Sequence, residues 1–234
     1  SNYGTNLPST GILTNQNFDL NNNIVVSGNM SITGCDIDIG PNILITVPIG
    51  ATLQITNSHL FACGAMWQGI INDGGTVIID GSTIEDAITT VKTINNGRVN
   101  IRHNTFNHNY TSLWFEQGNY DVINGFNNIY GNNFDNSGGK IIKTPHVQED
   151  PFHHIYLNLV TGITIGNSLQ DENIFHNSIN GIYSKKSNLK VFNNSFNNIG
   201  SDGYQNRVIV YPIASANAAI NTTGDNSSLY SLIA

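Results

Sequence analysis

A repeat of about two dozen residues constrains the fold of this chain more than any other feature. Five segments align without gaps, and each ends on an apolar anchor: 50-GATLQITNSHL-60, 74-GGTVIIDGSTI-84, 96-NGRVNIRHNTF-106, 124-NGFNNIYGNNF-134 and 186-KSNLKVFNNSF-196. A partial copy, 30-MSITGCDI-37, precedes them, and a looser copy, 162-GITIGNSLQDENIF-175, carries an insertion before its Phe. The anchors are Ile37, Leu60, Ile84, Phe106, Phe134, Phe175 and Phe196.

Three columns of similar residues emerge when the copies are stacked. Five residues before the anchor the side chain is aliphatic: Ile32, Ile55, Ile79, Ile101, Ile129, Ile165 and Val191. Two residues further back a second aliphatic column follows: Met30, Leu53, Val77, Val99 and Leu189. Two residues before the anchor the side chain is small and mostly polar, and we name this column the polar ladder: Cys35, Ser58, Ser82, Asn104, Asn132, Asn173 and Asn194. The ladder position predicts a tight bend, because Asn tolerates a left-handed backbone and bonds locally.

These columns predict an all-β protein, a right-handed parallel β-helix (solenoid) of roughly eight coils. A unit of this length cannot bury its apolar side alone, but coils stacked in register can, and the polar ladder then shares hydrogen bonds along the axis. A leucine-rich repeat has a similar period, but its Leu-x-x-Leu-x-Leu spine is missing. The predicted boundaries are a lead-in over 1–23, the β-helix over 24–211, and a C-terminal cap or linker over 212–234.

Two wider spacings between anchors predict insertions. Residues 116–125 are expected to lengthen one turn, and a long loop is expected near 136–154. Long loops on a rigid solenoid are where binding surfaces usually lie.

The amino-acid composition favours strands and argues against one class of binding partner. The chain has 38 Asn and 32 Ile, and only 11% of its residues are charged. Asn is a poor helix former, whereas Ile favours strands. A net charge of -7 with 9 Lys plus Arg argues against nucleic acid as a partner. Cys35 and Cys63 do not form a disulfide framework, and a single bridge or two free thiols remain open.

The stretch 63-CGAMWQGI-70, followed by 74-GGTVIIDGSTIEDA-87, is similar to a run in large surface proteins of Gram-negative bacteria. With the repeat over 24–211, the chain resembles the pectin-lyase-like right-handed β-helix superfamily, including its secreted and periplasmic or copper-binding-type repeat proteins. That resemblance implies a secreted or cell-surface bacterial protein. The superfamily contains polysaccharide lyases, hydrolases, tailspikes and adhesins, so the fold leaves the function open.

Few outward residues are suited to catalysis. If the chain is an enzyme, a polysaccharide lyase or glycoside hydrolase, its candidate catalytic residues are Glu85, Asp86, Asp135 and Arg102. The three carboxylates line a face that suits Ca²⁺ through oxygen ligands. However, the coil of Asn107 separates Glu85 from Asp135 by about 10 Å, so no cofactor is predicted.

Other residues point to binding. Trp114, Tyr120 and Tyr130 are candidates to stack on sugar rings, and Trp114 is expected to point outward because it lies between Leu113 and Phe115. The loop histidines His146, His153 and His154 are weak candidates for a Zn²⁺ or Cu²⁺ site. We expect them to be ordinary solvated histidines, and no metal is predicted.

The preferred hypothesis is a non-catalytic extracellular structural or adhesive module. Its expected partners are copies of itself, neighbouring domains of a longer surface protein, or an extracellular glycan, without nucleic acid or membrane insertion. The alternatives are the lyase or hydrolase above and a carbohydrate-binding module that uses Trp114 and the two insertions.

Overall fold

A computed structural model describes residues 7–62, 64–136, 153–167, 171–199, 208–211 and 220–221. In this part of the chain the structure is all-β, and its strands wind into a parallel solenoid that matches a right-handed parallel β-helix. The fold class predicted from the repeat is therefore confirmed.

The strands are short, and bends or turns separate them. The first nine are β1 (Gly11–Thr14), β2 (Asn17–Leu20), β3 (Ile24–Val25), β4 (Asn29–Thr33), β5 (Asp36–Ile39), β6 (Leu44–Pro48), β7 (Thr52–Thr56), β8 (His59–Phe61) and β9 (Trp67–Asp73). The next nine are β10 (Thr76–Asp80), β11 (Thr83–Glu85), β12 (Ala87–Ile94), β13 (Arg98–Arg102), β14 (Thr105–Asn107), β15 (Thr111–Phe115), β16 (Gly118–Asn119), β17 (Asn128–Tyr130) and β18 (Asn133–Asp135). The remainder are β19 (His153–Asn158), β20 (Val160–Ile165), β21 (Asn173–Ser178), β22 (Asn180–Lys185), β23 (Asn188–Phe192), β24 (Asn194–Ile199), β25 (Val208–Tyr211) and β26 (Ile220–Asn221).

Three parallel sheets form the walls of the solenoid. The first sheet runs β1-β4-β7-β10-β13-β17-β20-β23-β26, with β16 added beside β20. The second sheet runs β2-β5-β8-β11-β14-β18-β21-β24, and the third runs β3-β6-β9-β12-β15-β19-β22-β25. The two eight-stranded sheets agree with the roughly eight coils that the repeat predicts.

The predicted columns stack one above the other. Ile32, Ile55 and Ile79 are register partners on β4, β7 and β10, and the column continues through Ile101. All four side chains are fully buried, and the anchor residues form a second buried stack in the second sheet. The columns therefore line the core, as the spacing predicts.

The solenoid begins one coil before the boundary that the sequence predicts. Strand β1 pairs with β4 and β2 pairs with β5, which places Leu13 under Ile32 and Phe18 under Ile37. The alignment of the repeats does not include this coil, because Gly11 occupies a position where later copies have an aliphatic residue. At the other end, β26 pairs with β23 beyond residue 211.

The polar ladder is continuous at the bend between the first and second sheets. From Ser58 to Asn173, the ladder side chain accepts a hydrogen bond from the backbone N–H of the ladder residue one coil earlier, and Asn194 Oδ1 accepts one from Asn173 Nδ2 at 2.8 Å. These bonds measure 3.1 Å from Cys35 to Ser58, 3.1 Å from Ser58 to Ser82, 2.9 Å from Ser82 to Asn104, 3.1 Å from Asn104 to Asn132 and 3.0 Å from Asn132 to Asn173. The Asn members also donate to core carbonyls one coil earlier, as Asn132 Nδ2 does to Ile101 O at 3.0 Å.

The left-handed residue of the bend is not the ladder residue but the one before it. Positive φ angles occur at Asn15, Gly34, Asn57, Gly81, His103 and Gly131. Glycine alternates with a larger residue because the larger side chain leans over its neighbour. A Cβ at Gly34 would lie 2.3 Å from Asn15 Oδ1, and one at Gly81 would lie 2.5 Å from Asn57 Oδ1.

From Ile37 onward, the outline of the core changes once along the axis. Where the ladder residue is Cys or Ser, the anchor two residues later is Ile or Leu, and where it is Asn, the anchor is Phe. The ring of Phe134 stacks on Phe106 at 5.0 Å and on Phe175 at 4.7 Å, with interplanar angles of 10° and 3°. Like residues therefore lie on like residues, so each coil fits the outline of the next.

Strands occupy part of both ranges in which the spacing predicts insertions. Within residues 116–125, Gly118 and Asn119 form β16, which pairs with β20. The second insertion ends at residue 152, because His153 and His154 already belong to β19. Residues 137–152, which include His146, lie outside the described part of the chain, as does Cys63. Cys35 is buried as a free thiol.

Replacing a ladder residue is expected to destabilise the solenoid. The change Asn132→Ala removes the acceptor for Asn104 N and the donor to Ile101 O, both buried. We expect a loss of about 2–4 kcal/mol in the free energy of unfolding, measured by urea denaturation. The control Asn29→Ala, at an exposed position, is expected to change it by less than about 0.5 kcal/mol. Equal effects at the two positions would contradict the role of the ladder.

Because the anchor rings stack, the loss in free energy of unfolding on replacing an anchor Phe should depend on how many rings it contacts. Phe134 has a ring on both sides, whereas Phe106 has a ring on one side and Ile84 on the other. We expect Phe134→Leu to cost about 0.5–1.5 kcal/mol more than Phe106→Leu in the free energy of unfolding. The same denaturation experiment measures both, and an equal cost would exclude a contribution from stacking.

Candidate functional site

Glu85 lies on the outer face of the second sheet, where two neighbours hold it as a carboxylate. Its Oε2 is 2.7 Å from His59 Nε2, and its Oε1 accepts a hydrogen bond from Asn107 Nδ2 at 2.7 Å. The bond to His59 lowers the pKa of Glu85, and the same bond raises the pKa of His59. Both carboxylate oxygens of Glu85 are thus engaged within the protein.

Asp86 turns away from Glu85 into the corner between the second and third sheets. It is 6% exposed, its φ is 61°, and its Oδ2 accepts a hydrogen bond from Ala62 N at 3.3 Å. Its Oδ1 is buried without a partner. Burial raises the pKa of Asp86 to about 6. The carboxyl group is buried within the corner, so it does not lie beside that of Glu85 on the outer face of the second sheet.

Asp135 and Arg102 lie apart from that pair. Glu85, Asn107 and Asp135 are consecutive register partners, so the intervening coil separates the two carboxylates as the repeat predicts. Arg102 lies on the first sheet, where its Nε donates to Asp80 Oδ2 at 2.9 Å. The structure therefore does not bring the four candidate catalytic residues together, nor does it gather the carboxylates around one point as Ca²⁺ requires.

Trp114 belongs to an aromatic strip on the outside of the third sheet, formed by Trp114, Tyr156 and Tyr183. Its ring centroid is 4.5 Å from that of Tyr156, and Tyr156 stacks on Tyr183 at 5.4 Å and 5°. On the opposite side, Lys92 Nζ lies 4.7 Å from the Trp114 ring. Lys92 and Tyr156 are the register neighbours of Trp114 on consecutive coils, so Lys92 lies over the indole and the Tyr156 ring packs against it from the other coil at a tilt of 52°.

Polar groups complete the strip. Trp114 Nε1 donates to Glu116 Oε1 at 2.8 Å, and Glu116 Oε2 accepts a hydrogen bond from Asn158 Nδ2 at 2.9 Å. Lys92 Nζ lies 3.8 Å from Glu116 Oε1. Trp114 faces outward as the sequence predicts, but a sugar stacked on its ring would have to displace Lys92 or Tyr156. The sequence analysis missed Tyr156 and Tyr183. Tyr183 follows its anchor Phe175 by 8 residues, as Trp114 follows Phe106, so the repeat places these two in one column. The insertion between Phe134 and Tyr156 conceals the matching position of Tyr156.

The two other sugar-binding candidates differ from the prediction. Tyr120 is fully buried, and its hydroxyl donates to Glu116 O at 2.9 Å, so it presents no ring face to solvent. Burial raises the pKa of Tyr120 to about 12. Tyr130 is partly exposed, but it lies on the first sheet beside Arg102 and His103 rather than with Trp114. Three residues that sequence order groups together therefore lie in three separate settings.

His153 and His154 are buried strand residues rather than solvated loop residues. They are 3% and 0% exposed, and burial lowers their pKa values to about 3 and about 4. His154 Nε2 donates to His176 O at 2.6 Å, while His153 lies against the rings of Tyr156 and Tyr183. Across the described ranges, no group of three or more His, Cys, Asp or Glu side chains is arranged to hold a metal ion.

The outer face of the second sheet carries a groove of about 350 Å³ near the start of the chain. Its lining residues are Asn17, Asp19, Asp36, Asp38, His59 and Phe61. Asp19 and Asp38 are register partners, and the His59 ring stacks on Phe61 at 4.6 Å. The groove therefore combines carboxylate and amide acceptors with an outward aromatic ring.

Comparison with known proteins assigns no role to these residues. No protein-family model matches the chain, and no similar curated protein or solved structure was found. The described residues include no helix long and apolar enough to cross a membrane.

The buried His154 is expected to make stability depend on pH. Its pKa is about 4 in the folded protein and near 6.5 when exposed, so the unfolded chain binds more protons between these values. Stability from neutral His154 is therefore present above about pH 6.5 and is lost as the pH falls toward 4. On the order of 3 kcal/mol is at stake.

The variant His154→Met is expected to lose this dependence. As the pH is lowered from 7 to 4, we expect the free energy of unfolding of the wild type to fall relative to that of the variant. His103→Gln, whose side chain is 48% exposed, serves as the control. A constant difference across this range would contradict the neutral buried state of His154.

Proposed function

We propose that this chain is a non-catalytic structural and adhesive module of a secreted or cell-surface bacterial protein. The observation that carries the proposal is that outward side chains already bind one another from coil to coil. Glu85 is held by His59 and Asn107, and Trp114 packs between Lys92 and Tyr156. A rod built in this way presents a fixed surface, which suits adhesion. The resemblance to the pectin-lyase-like superfamily, which contains adhesins, is consistent with this role.

The first coil supports self-association. Strands β1, β2 and β3 are the terminal strands of the three sheets in the described part of the chain. Ile12 on β1 and Val25 on β3 are 79% and 60% exposed. Terminal strands present backbone groups that another chain can pair with, and apolar side chains beside them favour that contact. We therefore infer that copies of this module, or neighbouring domains of a longer surface protein, stack on this end.

Light scattering and electron microscopy test the stacking. We expect the purified chain to form dimers or longer fibres in a concentration-dependent way, and Ile12→Lys with Val25→Lys to reduce that association. The control Ile49→Lys changes an equally exposed residue in the turn between β6 and β7, and is expected to have no effect. A chain that stays monomeric at all concentrations, or equal losses in both variants, would contradict the proposal.

The groove on the second sheet favours a second candidate, a carbohydrate-binding module. Carboxylate and amide groups accept hydrogen bonds from sugar hydroxyls, and Phe61 offers an apolar ring beside them. We expect Phe61→Ala to abolish binding on a glycan array and Trp114→Ala to leave it intact. Binding that is lost only in Trp114→Ala would move the site to the aromatic strip.

A glycan-degrading activity would replace both proposals. Incubation with a panel of polysaccharides, with and without Ca²⁺, is expected to release neither unsaturated nor reducing sugars. Release that disappears in Glu85→Gln would identify the chain as a lyase or hydrolase of the superfamily.

A further inference from the structure

An asparagine followed by glycine loses ammonia more readily than other asparagines, because glycine has no side chain to hinder the backbone nitrogen that attacks. Three such pairs occur in this chain: Asn96-Gly97, Asn124-Gly125 and Asn180-Gly181. In each pair the glycine nitrogen must reach Cγ of the asparagine, so both groups must be free to turn. The three pairs differ in this respect.

The pair Asn180-Gly181 is buried inside the third sheet. Both residues belong to β22, which lies between β19 and β25, and Asn180 is 6% exposed. A Cβ at Gly181 would lie 2.8 Å from Phe196 Cδ1, so the core packs directly on this backbone. This pair therefore reacts only when the strand leaves the sheet.

The pair Asn96-Gly97 is exposed at Asn96, but both of its reacting groups are held. Gly97 N donates to Ile94 O at 3.0 Å in the turn after β12, which engages the attacking nitrogen. Asn96 Oδ1 accepts a hydrogen bond from Asn119 N at 2.9 Å, which fixes the carboxamide against the next coil. Exposure alone therefore does not make an Asn-Gly pair of this chain reactive.

The pair Asn124-Gly125 forms the tip of a small hairpin at the end of the first insertion. Ile123 and Phe126 make an antiparallel bridge, and Phe126 N donates to Ile123 O at 3.0 Å. Asn124 and Gly125 are exposed and left-handed, with φ angles of 53° and 81°, as in the type I′ turn that Asn-Gly favours. Among the described residues, neither the Asn124 carboxamide nor Gly125 N has a hydrogen-bond partner. A Cβ at Gly125 would meet nothing within 4 Å.

The base of the hairpin is fixed to the solenoid, so the tip is free to react without unfolding it. Asn127 is 5% exposed, its N donates to Val99 O at 2.6 Å, and its Oδ1 accepts a hydrogen bond from Val99 N at 3.2 Å. Its Nδ2 donates to Asp121 O at 3.2 Å, which joins the two ends of the hairpin. Opening the tip moves only side chains that are already exposed, Val122 at 45% and Ile123 at 54%.

We propose that Asn124 is a site of spontaneous deamidation that the solenoid tolerates. The deprotonated Gly125 nitrogen attacks Asn124 Cγ, the new N–Cγ bond forms as the Cγ–Nδ2 bond breaks, and ammonia leaves with the proton that the nitrogen lost. Water then opens the cyclic imide at either carbonyl, which yields aspartate or isoaspartate at position 124. Both products are negatively charged at neutral pH. The reaction therefore converts an apolar hairpin tip, beside Val122 and Ile123, into a charged one.

Peptide mapping by mass spectrometry measures the reaction at all three pairs in one sample. During incubation of the folded chain at pH 8, we expect Asn124 to gain about 1 Da about tenfold faster than Asn96 or Asn180. In water enriched in oxygen-18, the heavy isotope is expected in the product. In guanidinium, where the chain is unfolded, we expect the three rates to agree within about threefold, because each pair then has a free carboxamide. Equal rates in the folded chain, or a preference for Asn124 that persists in guanidinium, would overturn the proposal.

Variants separate the site from the fold. Asn124→Gly keeps the left-handed backbone but lacks the carboxamide, so position 124 is expected to stay unmodified while Asn96 and Asn180 react as before. Asn124→Asp supplies the charged product directly, and we expect it to shift the urea midpoint of unfolding by less than about 0.3 M. The matched control Asn127→Asp loses the buried donor to Asp121 O and is expected to lower the midpoint by more than about 0.5 M. Equal shifts in these two variants would contradict a tip that reacts apart from the solenoid.

Discussion

Hydrogen bonds from ladder amides to the ladder side chain one coil later hold successive coils of this solenoid in register. A coil of about two dozen residues contacts only its two neighbours, so it must match their outline at every position. The bend between the first and second sheets imposes that match most strictly, because its polar groups are buried. Cys, Ser and Asn all fit there, but Asn alone reaches back to a core carbonyl, as Asn104 and Asn132 do.

The need for each coil to match its neighbours also affects the core and the surface. Phe replaces Ile and Leu at the anchors where Asn replaces Cys and Ser, so the larger coils adjoin one another. Outside, stacking brings Lys92, Trp114 and Tyr156 together in the same way. A solenoid of this kind tends to satisfy its own surface along the axis. In the described part of the chain the first coil lacks a neighbour on one side, which is why we propose that a partner stacks there.

Burial shifts the pKa values of two groups in opposite directions. Asp86 lies at a corner and His154 near the start of β19, and burial raises the pKa of Asp86 but lowers that of His154. A buried aspartic acid favours its proton, whereas a buried histidine loses its own. Acid therefore strengthens the corner at Asp86 and weakens the core at His154. The pH response of the protein is thus local rather than uniform.

A repeat with a fixed period is enough to predict which residues lie over one another. The solenoid fold, the stacking of Ile55 over Ile32, the order of the polar ladder and the positions of the two insertions all follow from it. How each side chain is used emerges only in three dimensions: Tyr120 is buried, His153 and His154 lie in a strand, Asp86 turns away from Glu85, and Trp114 packs between Lys92 and Tyr156. Periodicity fixes a residue's place along the axis, whereas its burial and partners depend on the neighbouring coil, whose irregular corners follow no repeat.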